Sequence, residues 1–258
     1  MNREFLTLIV ASLVLCSQLP AQTNAPAPMP GTNAVVTPAV AETRVNTAIV
    51  PGPRKDGGGA KRTEVVLERA KEHPGDYDIV FIGDSITQLW EREGANVWGK
   101  YYGRCKALNL GVGGDRTQNV LWRFEQGQLD GLKPRVAVIM IGTNNSNRDD
   151  NSEADILAGV KAIVQQVQDR LPNTKIVLLA VFPRGATFST QRGKILQVNQ
   201  ALAKLADDKT IYYLDFGSKL IEADGSISKD IMPDKLHLSE RGYEIWAESM
   251  EPLLKKLL

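Results

Sequence analysis

The chain has 258 residues, with 31 Lys and Arg against 30 Asp and Glu and a formal net charge of +1. This length corresponds to one large domain, or to one domain with appendages. The near-neutral charge argues against a nucleic-acid-binding protein, because phosphate binding needs a clustered cationic excess. Apolar residues at 43% and charged residues at 24% are typical of a globular protein in water. Two cysteines are too few for a disulfide framework, and two histidines leave only two candidates for a histidine base.

The first 21 residues predict a signal peptide. Asn2-Arg3 supplies a short positive start, and the mostly apolar run at residues 5–16 is too short to cross a bilayer comfortably as a helix. Ala21 then offers a small residue at a cleavage point. We therefore expect an exported protein, periplasmic or extracellular, with no membrane span after processing. An uncleaved N-terminal anchor is one alternative. A lipoprotein attached through Cys16 is another, although Leu15 stands where a small residue is expected.

Residues 22–60 predict a disordered linker. Pro, Ala, Thr, Asn and Gly dominate this stretch, which ends in Gly57-Gly58-Gly59 and has little apolar surface to offset the entropy of ordering it. Val45, Ile49 and Val50 are exceptions, and they indicate that residues 44–53 lie on the surface of the domain. The folded domain is expected over residues 61–258.

From residue 61 onward, helical and strand patterns alternate along the chain. A first helical pattern around residues 65–70 stops at His73-Pro74-Gly75. Short apolar runs typical of buried parallel strands lie at residues 78–83, 107–110, 136–141, 176–181 and 211–214. Further helical patterns lie at residues 86–90, 117–126, 153–171, 190–205 and 239–257, the last capped by Ser239. Strands that alternate with helices predict an α/β fold, with one five-stranded parallel sheet between two layers of helices.

The loops after the first three predicted strands carry the candidate functional residues. They read Gly83-Asp84-Ser85, Gly111-Val112-Gly113-Gly114-Asp115 and Gly142-Thr143-Asn144-Asn145. In parallel α/β sheets the reacting groups lie at the carboxyl ends of the strands. All three loops therefore place glycines and small polar residues where an active site is expected.

Ser85 is a candidate nucleophile, because a serine between a strand and a helix projects its hydroxyl above the sheet, beside free helix N–H groups. The alternative is an ordinary N-cap serine, and Ser85 is a nucleophile only if a base reaches it. His237 is the candidate base, since Asp234 three residues earlier can hold one ring nitrogen and leave the other for the Ser85 proton. A surface Asp–His contact is the alternative. His73, at a helix end, is better suited to capping.

The second and third loops can supply an oxyanion hole. Gly113 and Gly114 leave the backbone bare, so that an N–H group can approach a substrate oxygen closely. Asn144 can offer a side-chain N–H to the same oxygen, and the backbone N–H of Ser85 would be a third donor. Glycine and asparagine are also common in turns, so each signal is weak alone and the hypothesis depends on their joint arrangement.

The sequence motifs of other functions are incomplete or absent in this chain. Arg116 stands at the third glycine position of a dinucleotide-binding fingerprint, and no phosphate-binding Gly-Lys-Ser/Thr is present. No His, Cys or carboxylate cluster has metal-ligand spacing, so we expect neither a metal nor a cofactor. The Gly-x-Ser-x-Gly elbow of the common α/β hydrolases is absent as well.

Together these residues resemble the four sequence blocks of the SGNH, or GDSL-type, esterases and lipases. The blocks are Gly83-Asp84-Ser85, Gly114, Asn144 and Asp234-x-x-His237. Residues 107–115, Val120-Leu121-Trp122-Arg123, Gly142-Thr143-Asn144-Asn145 and Pro183-Arg184-Gly185 are further similar to the catalytic subunits of intracellular platelet-activating factor acetylhydrolase. The resemblance implies a flavodoxin-like fold and a catalytic triad of Ser85, His237 and Asp234. It also implies oxyanion donors from Ser85, Gly114 and Asn144, and no metal or cofactor.

Two features depart from that resemblance. Asn145 replaces the Asp that usually follows the block-three Asn, as it does in the acetylhydrolase-like group, and the expected export differs from the cytosolic acetylhydrolase subunits. We therefore expect a serine esterase that hydrolyses short acyl esters, with acetyl groups on carbohydrate as the candidate substrate. The alternatives are a lysophospholipase or thioesterase for longer acyl chains, and a non-catalytic carbohydrate-binding relative. The sequence leaves a homodimer open.

Overall fold

A computed structural model of the chain describes residues 44–72, 74–147 and 150–258. The predicted signal peptide at residues 1–21 and residues 22–43 of the predicted linker lie outside the described residues, as does His73. The strands are β1 (Ile79–Gly83), β2 (Ala107–Asn109), β3 (Val136–Met140), β4 (Lys175–Leu179) and β5 (Ile211–Leu214). All neighbouring strands are parallel, in the order β2-β1-β3-β4-β5.

Helices cover both faces of the sheet. They are α1 (Gly57–Glu72), α2 (Ser85–Gln88), α3 (Ala95–Tyr102), α4 (Thr117–Glu125), α5 (Glu153–Arg170), α6 (Thr190–Leu202) and α7 (Glu240–Leu257). Residues of α1, α4, α5 and α6 share one apolar core, and residues of α3 and α7 share the other. The predicted three-layer, flavodoxin-like α/β fold is therefore confirmed. Among the described residues, no helix is both long enough and apolar enough to cross a membrane.

Successive side chains of a strand point to opposite faces of the sheet, so alternate residues of each strand pack in the two cores. In β1, Val80 and Ile82 belong to the core with α4 and α5, while Ile79 and Phe81 belong to the core with α3 and α7. The second core is rich in aromatic side chains, which pack around the fully buried Trp90. Burying a large apolar side chain contributes about 1.5–3 kcal/mol, so these two cores hold β1 rigidly beneath its C-terminal loop.

The N-terminal boundary predicted for the domain needs a correction. Residues 44–60, predicted as the end of a linker, pack on the domain, and α1 begins at Gly57 rather than after residue 60. A short 3-10 helix at Thr47–Ile49 buries Ala48 completely. The Ala48 carbonyl accepts a hydrogen bond from the Thr117 hydroxyl at 2.7 Å. Long-range contacts of this kind order a segment whose composition alone predicts disorder.

Other differences are smaller. The helix α3 was not predicted, and α6 gives way to a 3-10 helix at Ala203–Leu205. Four of the five predicted strands extend one or two residues beyond the observed strand at one end, the fourth also begins one residue late, and the fifth matches β5. The helical pattern at residues 86–90 divides into α2 and a 3-10 helix at Leu89–Glu91. None of these differences moves a candidate site residue away from the carboxyl edge of the sheet.

Candidate active site

Ser85 is the first residue of α2, directly after β1. Asp84, not Ser85, caps this helix, because its Oδ1 accepts the Ile86 N–H at 3.0 Å. The N-cap alternative for Ser85 is therefore wrong, and its hydroxyl is available for another partner. That partner is His237, whose Nε2 lies 2.9 Å from the Ser85 Oγ.

His237 and Asp234 lie in the turn that leads to α7. Asp234 Oδ1 accepts the backbone N–H groups of Leu236 at 3.0 Å and His237 at 2.7 Å, while its Oδ2 lies 2.6 Å from Nδ1 of His237. Burial acts to raise the pKa of Asp234, but the hydrogen bonds from the His237 side chain and backbone outweigh it and lower that pKa. The carboxylate is therefore ionised at neutral pH, and it holds the imidazole with Nε2 directed at Ser85.

The loops after β2 and β3 flank Ser85 on its two sides, because β1 lies between these strands in the sheet. A Cβ built on Gly113 would lie 3.8 Å from the Cβ of Ser85. The N–H of Gly113 donates to Oε1 of Gln88 at 2.7 Å, so Gly114, at φ +76°, is the better candidate for a free backbone donor. Asn144 Nδ2 donates to the Asp115 carbonyl at 2.9 Å, which ties the two flanking loops together and leaves its second N–H for another acceptor.

Asn145 has a structural explanation. Its buried side chain accepts the Thr117 N–H at 2.9 Å through Oδ1. Its Nδ2 lies 3.1 Å from Gln118 Oε1 and 3.0 Å from Asn151 Oδ1, both of which are acceptors. A carboxylate has no N–H to donate, so this environment selects an amide. The asparagine that replaces the usual Asp of the broad family pattern therefore holds the surrounding loops in place.

Buried charges lie close to the candidate nucleophile. Burial raises the pKa of Asp84 to about 7, and the nearby charge of Asp115 adds to the rise. The hydrogen bond from the Ile86 N–H acts in the opposite direction and lowers that pKa. Asp115 is itself fully buried and pairs with Arg123, whose Nε lies 3.0 Å from Oδ2. Burial nevertheless raises the pKa of Asp115 above its usual value.

Arg184, in the loop after β4, links these elements. Its Nη1 donates to the Thr143 carbonyl at 3.1 Å and to Oδ1 of Asn147 at 3.0 Å. Burial lowers the pKa of its guanidinium, while the carboxylates of Asp84 and Asp234 act in the opposite direction. The sequence indicated Arg184 only through the family resemblance, because its partners are far away along the chain.

Two clefts open among the loops that follow the strands. A polar cleft of about 540 Å³ is lined by Arg116, Asn147, Asp150 and Gln191. It begins beside the loops that carry Gly114 and Asn144. An apolar cleft of about 630 Å³ lies beyond the end of β4, and Phe188, Leu196 and Ile221 are among its lining residues. Within the described part of the chain, no group of three or more His, Cys, Asp or Glu residues could hold a metal ion.

Known proteins resemble this chain in both sequence and fold. Residues 81–245 match the model of the GDSL-like Lipase/Acylhydrolase family. The human platelet-activating factor acetylhydrolase IB subunit alpha1 is 37% identical over 216 residues, which cover 83% of this chain and 91% of that protein. The rat alpha2 subunit is 35% identical over 222 residues, which cover 83% and 92%.

Solved structures agree on the fold. A GDSL-like lipase from Bacteroides thetaiotaomicron has a TM-score of 0.61 at 21% identity, over 77% of this chain and 96% of that one. The acetylxylan esterase Axe2 from Geobacillus stearothermophilus has a TM-score of 0.55 at 18% identity, over 69% and 94%.

The fold and the matches define an ester hydrolase of the three-layer α/β class. The chain belongs to the GDSL-like lipase/acylhydrolase family. The resemblance noted in the sequence is thereby confirmed.

Proposed function

We propose that this ester hydrolase is a serine esterase for short acyl esters, acetyl esters above all, and that Ser85, His237 and Asp234 are its catalytic triad. The observation that carries the proposal is the continuous hydrogen-bonded chain from Ser85 Oγ to His237 Nε2, at 2.9 Å, and from His237 Nδ1 to Asp234, at 2.6 Å. A nucleophile, a base and an orienting carboxylate in this order form the arrangement that nucleophilic acyl transfer requires.

The reaction proceeds in two halves. Ser85 Oγ attacks the ester carbonyl carbon while its proton passes to Nε2 of His237, and the carbonyl electron pair moves onto the oxygen. Collapse of this intermediate expels the alcohol, which takes the proton from His237. Water then attacks the acyl-serine by the same route, which releases the carboxylic acid and restores Ser85. Asp234 stabilises the imidazolium in both halves.

The oxyanion is bound by three donors: the N–H groups of Ser85 and Gly114 and the side-chain amide of Asn144. The position of Ser85 between the two flanking loops supports this assignment. Such donors act on charge that develops only in the transition state, in a site with little water. No metal or cofactor takes part, and undiminished hydrolysis after exhaustive chelation is the expected result. Activity that is lost and then restored by one divalent ion would contradict it.

An active-site probe and an aryl acetate test the proposal together. A fluorophosphonate should label the wild-type protein, and p-nitrophenyl acetate should be hydrolysed by it. Ser85→Ala should abolish both signals, and Ser249→Ala, on α7 where its hydroxyl accepts from Lys219, should leave both unchanged. Labelling that persists in Ser85→Ala would contradict the assignment. Absence of labelling and hydrolysis in the wild-type protein would instead favour a non-catalytic carbohydrate-binding protein.

We propose that the alcohol part of the natural ester substrate is a carbohydrate. The name of the 37%-identical relative, an acetylhydrolase, supports the acetyl group. The polar cleft beside the oxyanion loops supports a hydroxyl-rich alcohol, because Arg116, Asn147, Asp150 and Gln191 offer both donors and acceptors. Arg116→Ala should raise KM for an acetylated xylo-oligosaccharide and leave KM for p-nitrophenyl acetate unchanged. Equal changes in the two KM values would contradict the carbohydrate assignment.

A second candidate function is the hydrolysis of longer acyl esters, which the apolar cleft of about 630 Å³ favours. Neither cleft includes a proposed catalytic residue in its lining, so the choice between them rests on the acetylhydrolase relatives, which support the short-chain activity as the main proposal. A series of p-nitrophenyl esters from two to twelve acyl carbons separates the two. A kcat/KM that falls steadily with chain length supports the short-chain assignment, and one that peaks at the long chains supports a lysophospholipase or thioesterase.

Export remains part of the proposal. Residues 1–21 are assigned as a signal peptide on the sequence pattern alone, and residues 22–43 as a linker to the folded part. Amino-terminal sequencing of the protein from its native cell should find a chain that begins near Gln22, outside the cytoplasm. An intact Met1-Asn2-Arg3 start on cytoplasmic protein would contradict it.

A further inference from the structure

The peptide that joins Gly113 to Gly114 carries one of the proposed oxyanion donors. Because a trans peptide is planar, the carbonyl of Gly113 and the N–H of Gly114 point in opposite directions. Whatever fixes the carbonyl therefore fixes the N–H. Glycine populates positive and negative φ about equally, so a peptide between two glycines turns over at little steric cost unless another group holds it.

Arg54 holds this carbonyl. Its Nη1 donates a hydrogen bond to the Gly113 oxygen and lies 3.5 Å from Oδ1 of the buried Asp115. The other side of the guanidinium is bound by Asp56, whose Oδ1 accepts from Nε at 2.7 Å and also from Nη2. Asp56 in turn accepts the Gly59 N–H at 2.9 Å through Oδ2. The guanidinium is therefore fixed on two sides, and the Arg54 side chain is only 16% exposed.

Two glycines make room for the guanidinium. A Cβ built on Gly114 would lie 2.6 Å from Nη1 of Arg54, and one built on Gly59 would lie 2.8 Å from Cζ. Both distances are shorter than real Cβ contacts, so a larger residue at either position displaces the guanidinium. A Cβ on the neighbouring Gly58 meets only Asp56 Oδ2, at 4.0 Å.

The segment that carries Arg54 is anchored independently of the site. The Gly52 carbonyl accepts from Nδ2 of Asn119 at 2.9 Å, and the Gly52 N–H donates to the Gln118 carbonyl at 3.2 Å. These contacts attach the segment to the first turn of α4. The segment also precedes residues 81–245, the part of the chain that matches the family model. Arg54 thus reaches the oxyanion loop from a segment that precedes β1 in the chain.

We propose that Arg54 is a positioning residue that locks the Gly113–Gly114 peptide with the Gly114 N–H directed at the substrate oxygen. Its charge also polarises the peptide, which strengthens the N–H as a donor, because hydrogen bonds in a chain reinforce one another. The inference rests on the proposed oxyanion role of Gly114. Arg54 acts through that peptide, so its effect belongs to the transition state and not to ground-state binding.

Arg54→Ala and Arg54→Lys test the inference in the full chain with p-nitrophenyl acetate. Arg54→Ala should lower kcat about ten- to a hundredfold, because a misplaced donor loses much of its effect, and should change KM less than about twofold. Arg54→Lys should recover part of kcat, since an ammonium can still donate to the Gly113 oxygen but cannot bind Asp56 as a fork. Affinity for a trifluoromethyl ketone, which forms an oxyanion on Ser85, should fall in parallel with kcat.

Arg44→Ala is the matched control on the same segment, because Arg44 pairs with Asp155 and not with the loop. It should keep the wild-type kcat. Gly59→Ala displaces the guanidinium without removing it, so it should reproduce the loss of kcat, whereas Gly58→Ala should not. These glycine variants and Arg54→Lys carry the test if Arg54→Ala fails to fold.

The outcomes separate cleanly. A wild-type kcat in folded Arg54→Ala, or a KM that rises as much as kcat falls, overturns the positioning role and leaves the esterase intact. Equal kcat losses in Gly58→Ala and Gly59→Ala also overturn it, because the loss would then reflect the helix end and not the guanidinium. A wild-type protein that hydrolyses no ester overturns both this role and the proposed function.

Discussion

Asn145→Asp should destabilise the protein, because it removes the hydrogen-bond donors that hold the loops around the candidate active site. The side chain accepts one backbone N–H, and its amide nitrogen faces the oxygens of Thr117, Gln118 and Asn151 at 3.0–3.1 Å. Asn145→Asp keeps the acceptor and removes both N–H groups. The oxygens of Gln118 and Asn151 lose their donor, at about 1–3 kcal/mol each. The partly exposed Gln118 recovers part of this loss from water, while the Thr117 hydroxyl keeps its hydrogen bond to the Ala48 carbonyl. We expect a net destabilisation of about 2–4 kcal/mol.

For a domain of this size, each kcal/mol corresponds to about 2–4 °C in Tm, so Asn145→Asp should melt roughly 4–16 °C below the wild type. Burial raises the pKa of the new carboxyl in the folded state above its unfolded value. Ionisation therefore opposes folding, and the deficit should be smallest near the unfolded pKa and grow as pH rises towards the folded one. Calorimetry at pH 5 and pH 8 measures both effects.

Asn147→Asp is the control for this prediction, because it is the same chemical change in the same loop. The Asn147 side-chain oxygen accepts from Arg184 and Gln191, a role that a carboxylate keeps. Its Tm should stay within about 2 °C of the wild type. If Asn145→Asp melts as high as Asn147→Asp, or melts lower at pH 5 than at pH 8, the reading of the buried amide is wrong.

Three further predictions concern the catalytic centre. Ser85→Ala and His237→Ala should each abolish nearly all ester hydrolysis, and the double variant should be barely worse than either, since the two residues act as one unit; additive losses in kcat would contradict this. Asn144→Ala should lower kcat about a hundred- to a thousandfold with little change in KM, as the loss of one oxyanion donor typically does; a silent substitution in steady-state kinetics would refute its role. Burial raises the pKa of Asp84 to about 7, so the fold loses stability as pH rises from about 4 to 7 and then levels off. Asp84→Asn should remove that part of the dependence in denaturant titrations, and an unchanged pH profile would contradict the assignment.

The sequence predicted what local patterns determine. The five strands follow from short apolar runs, and Ser85, Asn144 and His237 follow from polar residues placed after strands or before the last helix. The helix α3 was missed because it is only eight residues long, too short for its pattern to stand out in the sequence, although its Trp98 and Tyr102 pack on Trp90.

Arg54 was missed, and Arg184 was indicated only through the family resemblance, for a related reason. Arg54 and Gly113 are 59 residues apart in the chain, and Arg184 and Thr143 are 41 apart. No spacing rule connects such pairs, since only the folded sheet brings them together. The same cause explains why residues 44–60 look like a linker by composition, although hydrogen bonds to α4 order them.

The distance along the chain between Ser85 and His237, 152 residues, has a consequence for biosynthesis. A ribosome adds about 5–20 residues per second, so the proposed nucleophile Ser85 is synthesised roughly 8–30 s before the proposed base His237. During that interval the nascent chain carries a hydroxyl with no group to accept its proton. If Ser85 and His237 act together as proposed, esterase activity begins only when the turn before α7 has been made and has docked on the rest of the domain.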